Sequence, residues 1–342
     1  MALTINTNVS SLIAQRNLNA ATNALKTSIE RMTTGYKINH AADNAAGYSI
    51  ANMWETQLGS LDVAADNAAT GADMLTTAEE TYGLLTSHLQ RVRDLTEQAA
   101  NGTYGSQSLK AIHAEVVARL QEVNRIAANS EFNGIKLMAF TGNGDGSGIT
   151  TNGVNLQVGL YADENSTIKL SSDLFSDASL AGLFIDMEDS ENSAKSLEEL
   201  IDGAGGVLAN LDKDATAEEK QKAIEAFAAA CCGLKYVEAE DKFELNADPD
   251  NGAKEMLAYL DAGINEISGR VTQIGAAQNR VDSAVTALDV QSQNITSSLS
   301  TLRDTDIAEE SSNYIQAQIL QQAAATLLST ANQLPSIALN LI

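Results

Sequence analysis

Apolar residues recur at alternating intervals of three and four along the last quarter of the chain. The series reads Leu257, Leu260, Ile264, Ile267, Val271, Ile274, Gln278, Val281, Val285, Leu288, Ser292, Ile295, Leu299 and Leu302. Only Gln278 and Ser292 interrupt it with polar side chains. A seven-residue repeat kept over more than about four heptads is typical of a coiled coil. The pattern therefore predicts a long helix with an apolar face that needs a partner.

The first third of the chain supplies candidate partners for that face. Three helical stretches carry the same spacing: Leu18, Thr22, Leu25, Ile29, Met32 and Tyr36; Leu61, Ala65, Ala68, Ala72, Leu75, Ala78, Tyr82, Leu85, Leu89 and Val92; and Leu109, Ile112, Val116, Leu120 and Val123. Breaks are expected at Gly35, around Gly47, over 101–108 and over 129–134. The two ends of the chain are thus predicted to be helical and to pack together.

The middle of the chain has a different pattern. Val154, Leu156 and Val158 alternate with polar residues, and Ile168 and Leu170 resume the alternation after a turn, which predicts a β-hairpin. Residues 176–254 mix helical runs over Leu197–Leu211 and Ala217–Ala230 with a strand-like piece over 234–245. The predicted fold class is mainly α with an inserted α+β part. It comprises long antiparallel helices, a coiled coil formed by the two chain ends, a β-hairpin and an outer variable α+β domain.

Charge separates the middle from the ends. Residues 1–140 carry 10 basic and 13 acidic side chains, residues 141–254 carry 8 and 23, and residues 255–342 carry 3 and 9, within a total net charge of −24. Such acidity argues against nucleic-acid binding, which needs a basic face. No run is apolar enough to predict a membrane helix, and the first residues lack the pattern of a signal peptide.

Residue constellations for catalysis or cofactor binding are not found in the sequence. The three histidines have no partners at metal-ligand spacing, and HExxH, GxGxxG, GxxxxGK[ST] and GxSxG do not occur. We expect no enzyme activity, no cofactor and no metal. The adjacent Cys231 and Cys232 are interpreted as small helical residues, one of them packed inward, with a strained vicinal disulfide as the alternative. His40 is expected to be a local structural residue.

Several long segments resemble the bacterial flagellin family. They are INTNVSSLIAQRNL at the start, RMTTGYKINHAADNAAGYSIA over 31–51, LQRVRDLTEQAANGT over 89–103, EFNGIKL over 131–137, VNLQVG over 154–159, GAAQNRVDSAV over 275–285, DTDIAEE over 304–310 and the ending ANQLPSIALNLI. The resemblance covers roughly residues 1–175 and 255–342. It implies a structural subunit that polymerises into the flagellar filament for swimming motility.

The resemblance also implies a layered domain organisation. Residues 1–40 with 303–342 would form the inner coiled coil of the filament core. Residues 41–175 with 255–302 would form a helical bundle with the β-hairpin, and 176–254 the outer variable domain.

The chain ends have the composition that a polymer core requires. No residue after Glu310 and none before Arg16 is charged, and a crowded core excludes unpaired charges because their burial is costly. We predict that filament-core packing uses Ile5, Val9, Leu12, Leu18, Leu25, Ile29, Leu320, Leu327, Leu328, Leu334, Ile337 and Leu341. We also expect the ends to be disordered in the free subunit and to fold on assembly.

Further partners follow from the resemblance. It implies a helical homopolymer, a flagellar export chaperone that binds about 303–342, filament-cap and hook–filament junction proteins, and an extracellular flagellar location reached without a cleaved signal peptide. The segment LQRVRDLTEQ resembles the part of flagellins that the vertebrate Toll-like flagellin receptor recognises. By that match the receptor contacts would be Leu89, Gln90, Arg91, Leu95 and Glu115, although these residues could serve subunit packing alone.

Two other functions stay open at the level of sequence. One is a flagellin-like hook–filament junction protein, present in few copies, against which the ending ANQLP and the dense match at both ends count. The other is a flagellin with a proteolytic insertion, against which the missing HExxH motif counts.

Overall fold

The chain is mainly α-helical, as the sequence predicts. A computed structural model describes residues 8–138, 153–184, 217–237, 242–245 and 249–339. The predicted helical run Leu197–Leu211 lies outside these residues. Four long helices dominate the described part: α1 (Val9–Thr34), α2 (Ala45–Ala99), α6 (Pro249–Arg303) and α7 (Ile307–Leu339).

Shorter elements lie between α2 and α6. They are α3 (Ser106–Asn129), β1 (Glu131–Phe132), β2 (Ile135–Lys136), β3 (Val154–Gln157), β4 (Thr167–Leu170), α4 (Leu180–Phe184), α5 (Ala217–Cys231), β5 (Leu234–Val237) and β6 (Lys242–Leu245). The strands form three antiparallel hairpins, β1–β2, β3–β4 and β5–β6. The predicted hairpin is β3–β4, in which Val154 pairs with Leu170 and Leu156 with Ile168. The strand-like piece over 234–245 is a hairpin of its own.

Helix ends follow local side-chain chemistry. The Asn8 side chain accepts a hydrogen bond from the Ser11 backbone N–H and so caps the start of α1. Gly35 ends α1 with φ 77°, and its N–H bonds back to the Arg31 carbonyl at 2.8 Å. Before α2, the Asp43 carboxylate accepts from the backbone N–H groups of Asn39 and His40. The bond from His40 is the largest cause that lowers the pKa of Asp43.

The chain forms two compact units. The first unit comprises Met1–Asp62 and Asp289–Ile342, and the second comprises Val63–Leu288. In the second unit the predicted apolar positions of α2 from Ala78 to Val92, and all those predicted in α3, are buried. The heptad positions predicted over 257–302 all lie within α6 and are buried or half-buried.

The described part of the insertion shares the core of the second unit. Phe184 of α4 and Phe227 of α5 have ring centroids 5.1 Å apart, and both are buried in the cluster that includes Leu120. The backbone N–H of Leu180 donates to the Asn124 side chain at 2.9 Å. Helices α4 and α5 therefore pack on α3 and do not form a core of their own. The boundaries of the predicted three-part organisation stay a prediction.

Candidate assembly surface

Helices α1 and α7 pack antiparallel along a line of small residues. The buried residues on this line recur every seven positions, and we call them the inner seam: Ala14, Ala21 and Ser28 of α1, and Glu310, Ala317, Ala324 and Ala331 of α7. Polar contacts run beside them, from the Asn8 amide to the Ala331 carbonyl at 2.7 Å and from the Gln321 amide to the Thr22 hydroxyl at 3.2 Å. Small side chains permit the close approach of the two helices.

The inner seam differs from the α1 face that the hydrophobic spacing predicts. That spacing places Leu18, Leu25 and Ile29 toward a partner helix, whereas Leu18 and Leu25 are half-buried and Ile29 is exposed. The large side chains flank the interface because the helix axes approach over alanine. A repeat of Ala or Ser every seven residues in both helices is the signal that identifies the seam.

Large aliphatic side chains of α1 and α7 point away from the inner seam. We call the exposed set the aliphatic surface: Val9, Leu12, Ile13 and Ile29 of α1, and Ile307, Ile315, Ile319, Leu320 and Leu327 of α7. Leu12 is 61% exposed and Leu327 is 62% exposed. Nine exposed large aliphatic residues on two packed helices make this surface a candidate interaction site. One chain therefore leaves uncovered the residues that a polymer could bury.

The predicted packing residues that the structure describes are in two environments. Val9, Leu12, Ile29, Leu320 and Leu327 are on the aliphatic surface, and Leu328 is half-buried like Leu18 and Leu25. Ile5 and Leu341 lie outside the described residues. Leu334 and Ile337 lie within α7, but their side chains are outside the described part. Ile13, Ile315 and Ile319 were not predicted, although each is a large aliphatic residue in an uncharged stretch.

A backbone bridge joins the two connections between the long helices of the first unit. Tyr36 pairs with Asp304 as an isolated antiparallel bridge. The Lys37 N–H donates to the Arg303 carbonyl at 2.7 Å, and the Thr305 N–H donates to the Gly35 carbonyl at 2.9 Å. The Arg303 guanidinium lies 4.2 Å from the centre of the Tyr36 ring, a cation–π contact. Arg303 also pairs with Glu55.

Some of the residues predicted to contact a receptor reach solvent, whereas others are buried. The Arg91 Nε and Nη2 atoms donate to Glu115 Oε1 at 3.0 and 2.9 Å, and both side chains reach solvent. Gln90 is exposed. Leu89 and Leu95, in contrast, are 0% and 2% exposed. A buried side chain cannot contact another protein, so only Gln90, Arg91 and Glu115 are placed to do so.

His40 and the two cysteines have structural surroundings. His40 Nε2 lies 2.7 Å from Glu30 Oε1, a local pair that agrees with its expected structural role. Cys231 and Cys232 are both free and both buried, where one had been expected to pack inward. Burial raises the pKa of Cys231 to about 12.

Among the described residues no group of His, Cys, Asp or Glu could hold a metal ion, and no described helix could cross a membrane.

Comparison with known proteins identifies the chain's family. Residues 5–143 match the bacterial flagellin N-terminal helical region, and residues 257–342 match the bacterial flagellin C-terminal helical region. Flagellin D of Vibrio anguillarum is 34% identical over 378 residues, with 100% of both chains covered. Polar flagellin F of Vibrio parahaemolyticus is 32% identical and flagellin C of Vibrio cholerae 33% identical, again with 100% of both chains covered.

One solved structure gives a weaker match. The FliC of Burkholderia pseudomallei is 22% identical, with a TM-score of 0.36, and the match covers 61% of this chain and 99% of that chain. Family membership does not depend on it, because the sequence matches reach both ends of the chain. On those sequence matches, the chain belongs to the bacterial flagellin family.

Proposed function

We propose that this chain is a structural subunit that polymerises into the bacterial flagellar filament and supports swimming motility. The observation that carries the proposal is the aliphatic surface of α1 and α7. Each large aliphatic residue that becomes fully buried contributes about 1.5–3 kcal/mol. A second copy that offers the same surface is a partner of matching chemistry, and the family consists of structural subunits.

Electron microscopy of purified chain after salting-out tests this function. We expect tubes of constant width that dissociate on heating and form again from the soluble chain. Amorphous aggregate under all salt conditions would contradict the proposal. A hook–filament junction protein, the alternative, would be scarce in sheared filaments. The full-length relatives are flagellins, which favours the major filament subunit, and copy number in sheared filaments separates the two.

Folding of the ends is proposed to be coupled to assembly. The α1–α7 interface buries mainly alanine, which contributes little apolar area, and isolated helices are marginal in water. Amide exchange of residues 8–34 should be fast in the soluble chain and slow in the filament. Residues 109–123, buried in the second unit, serve as the internal control with slow exchange in both. Equal protection of 8–34 in both forms would refute the coupling.

Recognition of the free subunit by the Toll-like flagellin receptor is a second proposal. It rests on family resemblance and on the exposure of Gln90, Arg91 and Glu115. The Arg91 guanidinium offers a planar set of donors that Glu115 only partly occupies. Arg91→Ala should weaken receptor binding by about tenfold or more. Arg125→Ala, which removes another exposed arginine paired on α3, is the matched control, and an equal loss in both variants would exclude a specific role for Arg91.

Other partners are proposed from family membership alone. They are an export chaperone on about 303–342, and filament-cap and hook–filament junction proteins. Export through the organelle's own channel without a cleaved signal peptide is proposed on the same ground. Mass spectrometry of the chain from sheared filaments tests the export route, because cleavage of a leader would shorten the N-terminal peptide.

A further inference from the structure

The inner seam repeats itself after one heptad. Sliding α7 along α1 by seven residues again places Ala or Ser opposite Ala or Ser. The flanking positions Tyr314, Gln321 and Leu328 then exchange places beside α1, and all three are half-buried. Packing of the small residues alone therefore discriminates poorly between registers. Coiled coils commonly resolve this ambiguity with one polar residue in the interface.

Glu310 is the exception in the inner seam. It occupies the heptad position shared by Ala317, Ala324 and Ala331, and it is only 6% exposed. Its carboxylate lies 3.7 Å from Arg31 Nη1 of α1. The chain carries no other charge on α7 beyond this position. A slide by one heptad would separate this pair and leave a buried carboxylate without a cation, which is strongly unfavourable.

We propose that the Arg31–Glu310 pair fixes the register of α1 against α7. The register decides which residues of the aliphatic surface lie at the same level on the two helices. A slipped pair would present a different surface to the next copy. For its effect on filaments this inference rests on the proposed function, whereas both partners of the ion pair belong to the same chain.

The backbone bridge at Tyr36 and Asp304 is the competing explanation. It tethers the end of α1 to the start of α7 through the short link Asp304–Asp306. A seven-residue slide would need about two turns of α7 to unwind, since a turn has about 3.6 residues. A test must therefore separate the bridge from the ion pair.

Disulfide trapping reads the register directly. Thr22→Cys with Gln321→Cys reports the observed register, because these side chains are hydrogen-bonded at 3.2 Å. Thr22→Cys with Tyr314→Cys, or with Leu328→Cys, reports a slip of one heptad in either direction. The parent chain without added cysteines is the negative control, because its two native cysteines are buried. Filaments assembled from mixed light and heavy-isotope chains distinguish disulfides within a chain from those between chains.

Each reporter is placed in the parent chain, in Glu310→Ala and in Glu309→Ala. Glu310→Ala completes the alanine repeat, whereas Glu309 is exposed and is the matched control. We expect the slipped disulfides to increase about tenfold in Glu310→Ala and to stay at the parent level in Glu309→Ala. An equal, low level in all three would show that the bridge alone sets the register, and would overturn the inference.

A charge exchange covers the case in which Glu310→Ala does not assemble. Arg31→Glu combined with Glu310→Arg keeps the pair, so it should restore the in-register disulfide that Arg31→Glu alone loses. A double variant as slipped as the single one would overturn the inference. Filaments are collected by sedimentation before the disulfides are read. A parent chain that forms no sedimentable filament would count against the proposed function, and the same disulfides would then test the register in the soluble chain.

Discussion

The hydroxyl of Tyr82, which is fully buried, donates a hydrogen bond of 3.0 Å to the carbonyl of Leu174. Desolvation, partly opposed by nearby Arg270, raises the pKa of Tyr82. This bond ties α2 to the segment that follows β4, inside the second unit.

Tyr82→Phe should lower the free energy of unfolding by about 1–2 kcal/mol, because it leaves the Leu174 carbonyl buried without a donor. Chemical denaturation followed by circular dichroism measures the loss. Tyr161→Phe is the control, since Tyr161 is 64% exposed and should change stability by less than about 0.5 kcal/mol. Indistinguishable midpoints for the parent and Tyr82→Phe would contradict this prediction.

Acid should weaken the packing of α5 on α3 through His113. Its Nε2 lies 3.1 Å from the Glu225 carbonyl, and desolvation lowers its pKa more than Glu225 raises it. The folded state therefore binds a proton less readily than the unfolded state. The stability from neutral His113 is fully present above about pH 6.5 and is lost as the pH falls below that value.

The stability difference between the parent chain and His113→Gln isolates this effect from the other titrating groups. The parent should lose stability relative to His113→Gln between pH 7.5 and about pH 5. Gln121→Ala removes a different contact with α5, the 2.8 Å bond to Gln221, and carries no titrating group. Its stability difference should not change with pH. A difference for His113→Gln that is also flat with pH would disprove the assignment.

The native cysteines should resist thiol reagents. Burial raises the pKa of Cys231 to about 12 and also raises the pKa of Cys232, so thiolate is scarce at pH 8. Iodoacetamide should label them at least about a hundredfold more slowly in the folded chain than in guanidinium. Ser87→Cys places a thiol at an exposed position and should react at once. A native mass short by two hydrogens would instead indicate the vicinal disulfide.

Removing one residue of the aliphatic surface should impair polymerisation without unfolding the second unit. Leu327→Ser forgoes about 1.5–3 kcal/mol of apolar burial per subunit, which raises the critical concentration by about tenfold or more. Gln322→Ser, also on an exposed position of α7, is the matched control and should assemble as the parent does. Sedimentation at graded concentrations gives both values, and equal critical concentrations would exclude Leu327 from the interface.

Sequence periodicity predicted the helices of the second unit well. The series over 257–288 and the apolar positions of α3 are buried or half-buried because a single face of each helix meets the core. The hairpin β1–β2 was assigned only as a break. Asn133 and Gly134 both have positive φ there, and Asn-Gly is a strong hairpin signal that the short strands obscured.

Hydrophobic spacing alone does not identify the α1–α7 interface, where small residues decide the packing. Ala14 and Ala21 of the inner seam are only weakly apolar beside Leu18 and Leu25, yet they allow the closest helix contact. Leu89 was assigned both to a buried stripe and to a receptor contact. The two roles exclude each other, and the periodicity was the better guide. Leu95 is buried for the same reason, because it lies one turn before the buried Ala99 on the same face of α2.

The bridge between Tyr36 and Asp304 has a mechanical consequence. In an antiparallel pair the hydrogen bonds run across the strand direction. A pull along the strands thus loads the Lys37–Arg303 and Thr305–Gly35 bonds together, in shear, so neither peels away before the other. In a rotating filament, torque at this bridge would then be shared by the N-terminal and C-terminal parts of the chain.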